Sequence, residues 1–205
     1  MRSSRRGFLK GLSVAMLAPR LVPKAFSSEN KKIQLPIAFS TLGCPTWEWK
    51  KILDFARQHG FAAVELRGLE GNLDLPSHPV FAPDRIEQTK REIRESRLTI
   101  ACVSSSANLY FADEAKRAKE LGDARRFIDL ASMLGAPYVR VFGGGEQSDT
   151  SRLPDQDTKA RVAAGLHELG NYAGPHKVKV LIESHDHFTA SVSLQDVLGA
   201  ANSDH

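Results

Sequence analysis

Five strand-like segments follow one another along this 205-residue chain, and a helix-like stretch follows each of them. Taking Ile37, Val64, Ile100, Val139 and Val180 as strand markers, the steps are 27, 36, 39 and 41 residues. Each step holds one strand, one helix and two loops. Such alternation predicts an α/β fold with a parallel sheet covered by helices. In that architecture functional groups collect where strands end and loops lead into helices. Spacing alone leaves two forms open, an open doubly wound sheet of five strands and five units of an eight-unit barrel. A closed eight-unit barrel takes roughly 250 residues.

The N-terminus reads separately. Ser4-Arg5-Arg6-Gly7-Phe8-Leu9-Lys10 precedes a short apolar run, Gly11 to Ala18, and Ala25-Phe26-Ser27 places small residues where a signal peptidase cuts. This predicts a twin-arginine export signal over residues 1–27 and delivery to the periplasm. The apolar run is too short to span a bilayer, which takes roughly 20 residues. Residues 1–27 carry six cations and no acid, so removing them from the net +4 leaves −2 for the remaining 178 residues. That balance argues against a nucleic acid or a membrane surface as partner once the signal is gone. Self-assembly into a homo-oligomer stays open. Cys44 and Cys102 fall near the ends of strands one and three. They are expected as buried free thiols, with pairing in an oxidising compartment as the alternative.

The strands are expected at 35–40, 62–66, 99–103, 138–142 and 178–185. Thr46 is a candidate cap for helix one, whose apolar face carries Trp47, Ile52, Phe55 and Ala56, and His59-Gly60 is its stop. Helix two opens at Pro83-Asp84, helix three runs from Asp113 to Leu134, and helix four from Asp155 to Tyr172. Residues 191–202 read as a fifth helix.

Charges within apolar strands need partners, because an unpaired buried charge costs several kcal/mol. Strand two carries Glu65 and Arg67 on one face, strand four carries Arg140, and strand five ends in Glu183 and His185, again on one face. Internal pairing of Glu65 with Arg67 or Arg140 is one reading. A substrate contact at Glu65 is the other. Glu183 with His185 could ligate a divalent cation and touch a substrate, although two residues do not complete a metal site. Asp186 and His187 share their loop. His78, in a proline-flanked loop, is a candidate for the mouth of the site. Gly143-Gly144-Gly145 could cradle a phosphate, but no P-loop lysine follows. Trp47 and Trp49 could stack on a sugar, or simply pack helix one.

Taken together, Phe39-Ser40-Thr41-Leu42-Gly43, Val64-Glu65-Leu66-Arg67-Gly68, Val139-Arg140-Val141-Phe142-Gly143-Gly144 and Leu181-Ile182-Glu183-Ser184-His185 resemble the xylose isomerase-like TIM-barrel family. The resemblance covers residues 33–205 and implies five of eight barrel units, so a piece of a longer enzyme is expected. It also implies a divalent metal (Mn²⁺, Mg²⁺, Co²⁺ or Zn²⁺) with Glu183 as one ligand. Substrate oxygens would be contacted by His185 and Arg140, and Glu183 would also serve in proton transfer. The function so implied is isomerisation or epimerisation of a small sugar or sugar phosphate, by proton transfer next to a carbonyl. The alternatives are a non-catalytic sugar-binding barrel and an endonuclease-like phosphodiesterase. The latter needs a multi-histidine zinc cluster, and strands two and three end here in Arg67-Gly68 and Ser104-Ser105-Ser106.

Overall fold

The computed structural model describes residues 35–145 and 153–205, which lie in one compact unit, Ile33–His205. The export signal expected over residues 1–27 lies outside the described residues. Five strands, β1 (Leu35–Ser40), β2 (Phe61–Leu66), β3 (Thr99–Asn108), β4 (Tyr138–Phe142) and β5 (Lys179–Glu183), form one sheet. Five helices alternate with them: α1 (Trp49–His59), α2 (Ile86–Glu95), α3 (Glu114–Leu134), α4 (Gln156–Ala173) and α5 (Ser191–Ala201).

All four strand pairings are parallel, and the strand order is β1-β2-β3-β4-β5. That order separates the two forms left open by spacing. A doubly wound sheet reverses its winding at a switch point, so its sequential strands do not run in order across the sheet. Here every crossover advances one strand in the same direction, which is barrel winding.

Side-chain alternation divides the sheet into two faces. Val64, Leu66, Val139 and Val141 have no exposed surface, and Val180 and Ile182 pack against the same core. Ile52, Ile128, Leu130, Leu169 and Phe188 complete that layer from the helices and the turn before α5. Residues one step away along the strands, Glu65, Arg140 and Glu183, face the opposite side and line a cavity there. Ile37 on β1, Leu181 on β5 and Val192 and Leu198 on α5 are about half exposed.

Helix ends follow local chemistry. Gly60 and Gly135 take the left-handed conformation (φ 74° and 71°) that stops α1 and α3. Asp113 and Asp155 accept the N–H of Lys116 and Thr158 as N-caps of α3 and α4. The start of α1 differs from expectation. It begins at Trp49 with Glu48 at the cap position and no side-chain cap, because the Trp47 N–H is turned onto the Cys44 carbonyl. Thr46 therefore does not cap it. Trp47 packs edge-on against Phe55 from just ahead of the helix. α2 starts at Ile86, two residues later than its Pro83-Asp84 opening suggested. β3 extends to Asn108, five residues beyond the expected Val103.

Candidate active site

At the carboxyl ends of the strands lies an open cavity of about 640 Å³, lined by Ser40, Glu65, Arg67, Asn108, Arg140, Phe142, Glu183, His185 and Asp186 among others. All five strands contribute, which is where a parallel α/β fold places its chemistry.

Arg140 is the most constrained of these groups. Its side chain is 9 % exposed, its Nη1 donates to the Ser105 carbonyl at 2.7 Å, and its guanidinium lies 4.0 Å from the Phe142 ring centroid. Nε comes within 2.7 Å of a Glu183 carboxylate oxygen, an ion pair whose N–H does not point along the hydrogen-bond line. Burial holds the guanidinium below its ordinary pKa, and the Glu183 carboxylate partly offsets this. The β4–β5 register sets Arg140 opposite Leu181 and Phe142 opposite Glu183, so the ion pair runs diagonally toward the cavity.

Glu65 accepts the Ser104 hydroxyl at 2.5 Å from the neighbouring strand. The pairing of Glu65 with Arg67 or Arg140 allowed by the sequence is not what forms. Ser104 serves Glu65, and Arg140 turns to Glu183. Arg67 keeps its backbone fixed, because Thr41 Oγ1 accepts the N–H of both Arg67 (2.9 Å) and Gly68 (3.1 Å). Thr41 has no exposed surface. Thr41→Val would leave two buried donors unmatched, at about 1–3 kcal/mol each. The expected loss is about 2–6 kcal/mol in urea unfolding, with Thr41→Ser near wild type because it keeps the acceptor.

His185 Nδ1 lies 2.9 Å from the Asp186 carboxylate, and its ring meets the edge of Phe142 at 5.1 Å. Asp186 adopts φ 47°, which turns the chain sharply after β5 and brings its side chain back to the imidazole. The triple glycine serves this turn by letting rings approach. A β-carbon on Gly143 would fall 2.4 Å from the Phe188 ring, and one on Gly144 would fall 2.3 Å from Tyr110. Gly144 also has φ +83°. Close packing thus accounts for the glycines without a phosphate.

The structure brings Glu65, Arg140, Glu183 and His185 to one cavity, and it does not bring His78 there. His78 is buried, its Nδ1 accepts the Val80 N–H, and Nε2 is 3.8 Å from Glu70. That ring caps the short turn Pro79–Phe81. Trp49 is also buried elsewhere, donating to Glu92 at 2.9 Å. Both cysteines are free, Cys44 buried and Cys102 partly so. Sequence reasoning missed Ser40, Asn108 and Phe142 as lining residues. Arg67 was marked only as a charge needing a partner.

Glu183 could give a divalent cation one oxygen donor, but a metal site takes three or four protein ligands. Among the described residues no group of three or more His, Cys, Asp and Glu side chains is placed to hold an ion. Within the described residues Glu183 is thus a single donor, short of a complete metal site.

No curated protein matches the chain. Among solved structures, it is similar to a xylose isomerase-like TIM-barrel protein from Mycobacterium smegmatis in complex with magnesium. The match has TM-score 0.63 and 19 % identity, over 82 % of this chain and 62 % of that one. An L-ribulose 3-epimerase matches with TM-score 0.66 and 18 % identity, over 82 % of this chain and 57 % of that one. A D-psicose 3-epimerase structure obtained in the presence of D-fructose matches with TM-score 0.63 and 12 % identity, over 82 % and 60 %. The chain thus spans about 60 % of the length of these solved structures. At such identities the likeness speaks for the fold. The family model for the xylose isomerase-like TIM barrel matches residues 53–204, about three quarters of the sequence. With in-order parallel strands and a strand-end cavity, this chain belongs to the xylose isomerase-like TIM-barrel family.

Proposed function

We propose that this protein belongs to a sugar isomerase or epimerase in which Glu183 moves a proton on the carbon next to a substrate carbonyl. The observation that carries the reading is the convergence of three carboxylates, one imidazole and two guanidiniums on a single strand-end cavity. Removing a proton beside a carbonyl needs a positioned base and donors aimed at the oxygen that gains charge. Glu183 supplies the base, and Arg140 stands within 2.7 Å of it. Arg140 and His185 supply N–H donors on the same side, and Glu65 an acceptor for a substrate hydroxyl. Phe142 gives the cavity an apolar wall against which a sugar ring or chain can lie. The similarity to epimerase structures agrees with this reading.

Dependence on a divalent cation is part of the proposal. When bound, such an ion polarises substrate oxygens. Glu183 would give it one donor, and the remaining donors are not among the described residues. Export to the periplasm is likewise proposed, on the N-terminal motif alone.

The test is solvent exchange. The full natural chain, with Mn²⁺, is incubated in D₂O with a panel of ketoses, aldoses, sugar acids and sugar phosphates. The expected result is deuterium on the carbon next to the carbonyl of at least one compound, stopped by a chelator. No exchange across the panel would sink the proposal, and exchange that survives the chelator would remove its metal clause.

A further inference from the structure

Among the described residues, every charged group of the cavity but Arg67 has a side-chain partner within contact distance. Glu65 takes the Ser104 hydroxyl, Glu183 takes Arg140, and Asp186 takes His185. The Arg67 side chain lines the same cavity, and among the described residues it makes no hydrogen bond or ion pair and its buried Nη1 has no partner. Such an orphan is costly, and native structures keep few of them without a functional reason. Both carboxylates act on Arg67 through space, yet neither closes onto it. Burial pushes its guanidinium below the ordinary pKa, as it does that of Arg140. Thr41 anchors the Arg67 backbone from behind, so the free end is presented by a fixed stem.

A guanidinium is a planar fork whose paired N–H groups match the two oxygens of a carboxylate or phosphate. We propose that Arg67 is a substrate-binding residue for an anionic substituent, so that the cavity takes an acidic sugar, a sugar carboxylate or a sugar phosphate. Arg140 stands beside it as a second cation on the same cavity wall. This rests on the function proposed above and names the charge of the substrate which that site would take. Glu183 already has the Arg140 cation, while Glu65 keeps its negative charge beside the neutral Ser104 hydroxyl. The two carboxylates require that the anion approach from the Arg67 side.

The test is binding, which needs no turnover and so can succeed where the exchange assay fails. Calorimetry on the full natural chain compares gluconate, glucose 6-phosphate and the neutral polyol sorbitol. Wild type should bind at least one of the two anions about 10- to 100-fold more tightly than sorbitol, the scale of hydrogen bonds to charged groups. Whichever of the two leads tells carboxylate from phosphate. Arg67→Gln should remove most of that preference and leave sorbitol binding unchanged within about threefold, while Arg67→Lys, with charge but no fork, should fall between. Three outcomes would overturn the inference: sorbitol bound as tightly as both anions, equal weakening of all ligands in Arg67→Gln, or no binding of any probe by wild type. If Arg67→Gln does not fold, the wild-type comparison still decides.

Discussion

Glu183→Gln is expected to slow turnover about 10²- to 10⁴-fold, the range that a positioned general acid–base group contributes. The amide keeps the size and the polar surface of the side chain but cannot accept a proton at neutral pH. The site should otherwise survive, since Arg140 retains the Ser105 carbonyl and the Phe142 face. Glu183 is itself 38 % exposed, so losing its ion pair should cost far less stability than losing a fully buried one. The expected pattern is therefore a large fall in kcat with a change of less than about 2 kcal/mol in unfolding free energy. Steady-state kinetics beside urea unfolding reads both. A variant within tenfold of wild type would mean that the proton is carried by another group.

Phe188→Ala is expected to have a large effect on stability. The ring has no exposed surface, sits in the turn between β5 and α5, and closes on Gly143 at the end of β4. Truncating a buried phenylalanine removes its transfer energy and leaves a cavity, about 3–5 kcal/mol in total. At this chain length that corresponds to a fall of roughly 6–20 °C in Tm. Because the same ring ties the Asp186–Phe188 turn to β4, His185 should lose its fixed placement and KM should rise. Phe188→Leu fills most of the volume and should recover most of the loss. Calorimetric melting checks the first expectation. A shift under about 3 °C would show that the turn is held by other contacts.

Much of the architecture is legible in the sequence because its strands are short apolar runs bounded by glycine, proline or a capping residue. β1 and β4 fall on their expected residues, and α3 falls between its Asp113 cap and Gly135. The end of β3 is not legible, since Ser104-Ser105-Ser106 carries no apolar signal. Those hydroxyls are used instead by tertiary partners, Glu65 and the Arg140 carbonyl. Barrel winding is hidden as well, because unit spacing is the same in an open sheet and only the strand order separates them.

The site was legible as residue types at strand ends and illegible as pairs. Whether Arg140 meets Glu65 or Glu183 depends on a register between strands that no single segment specifies. His78 is the opposite case. A histidine between prolines looks like an exposed loop ligand, yet local backbone geometry gives its ring a capping role in a buried turn. Arg67 was visible as a charge, but that its Nη1 has no partner among the described residues appears only when each neighbour's partner is known.

The chemistry proposed here sits in the strand-end cavity around Glu183. The most direct measurement is a crystal structure of the full natural chain with a non-reacting reduced sugar or sugar acid at saturating concentration. The expected result is the analogue in the 640 Å³ cavity, with the two carbons that exchange the proton facing Glu183 and oxygens on Arg140 and Arg67. An analogue seated instead in the 570 Å³ groove beside Trp49 and Glu92, with the Glu183 cavity holding only solvent, would contradict it.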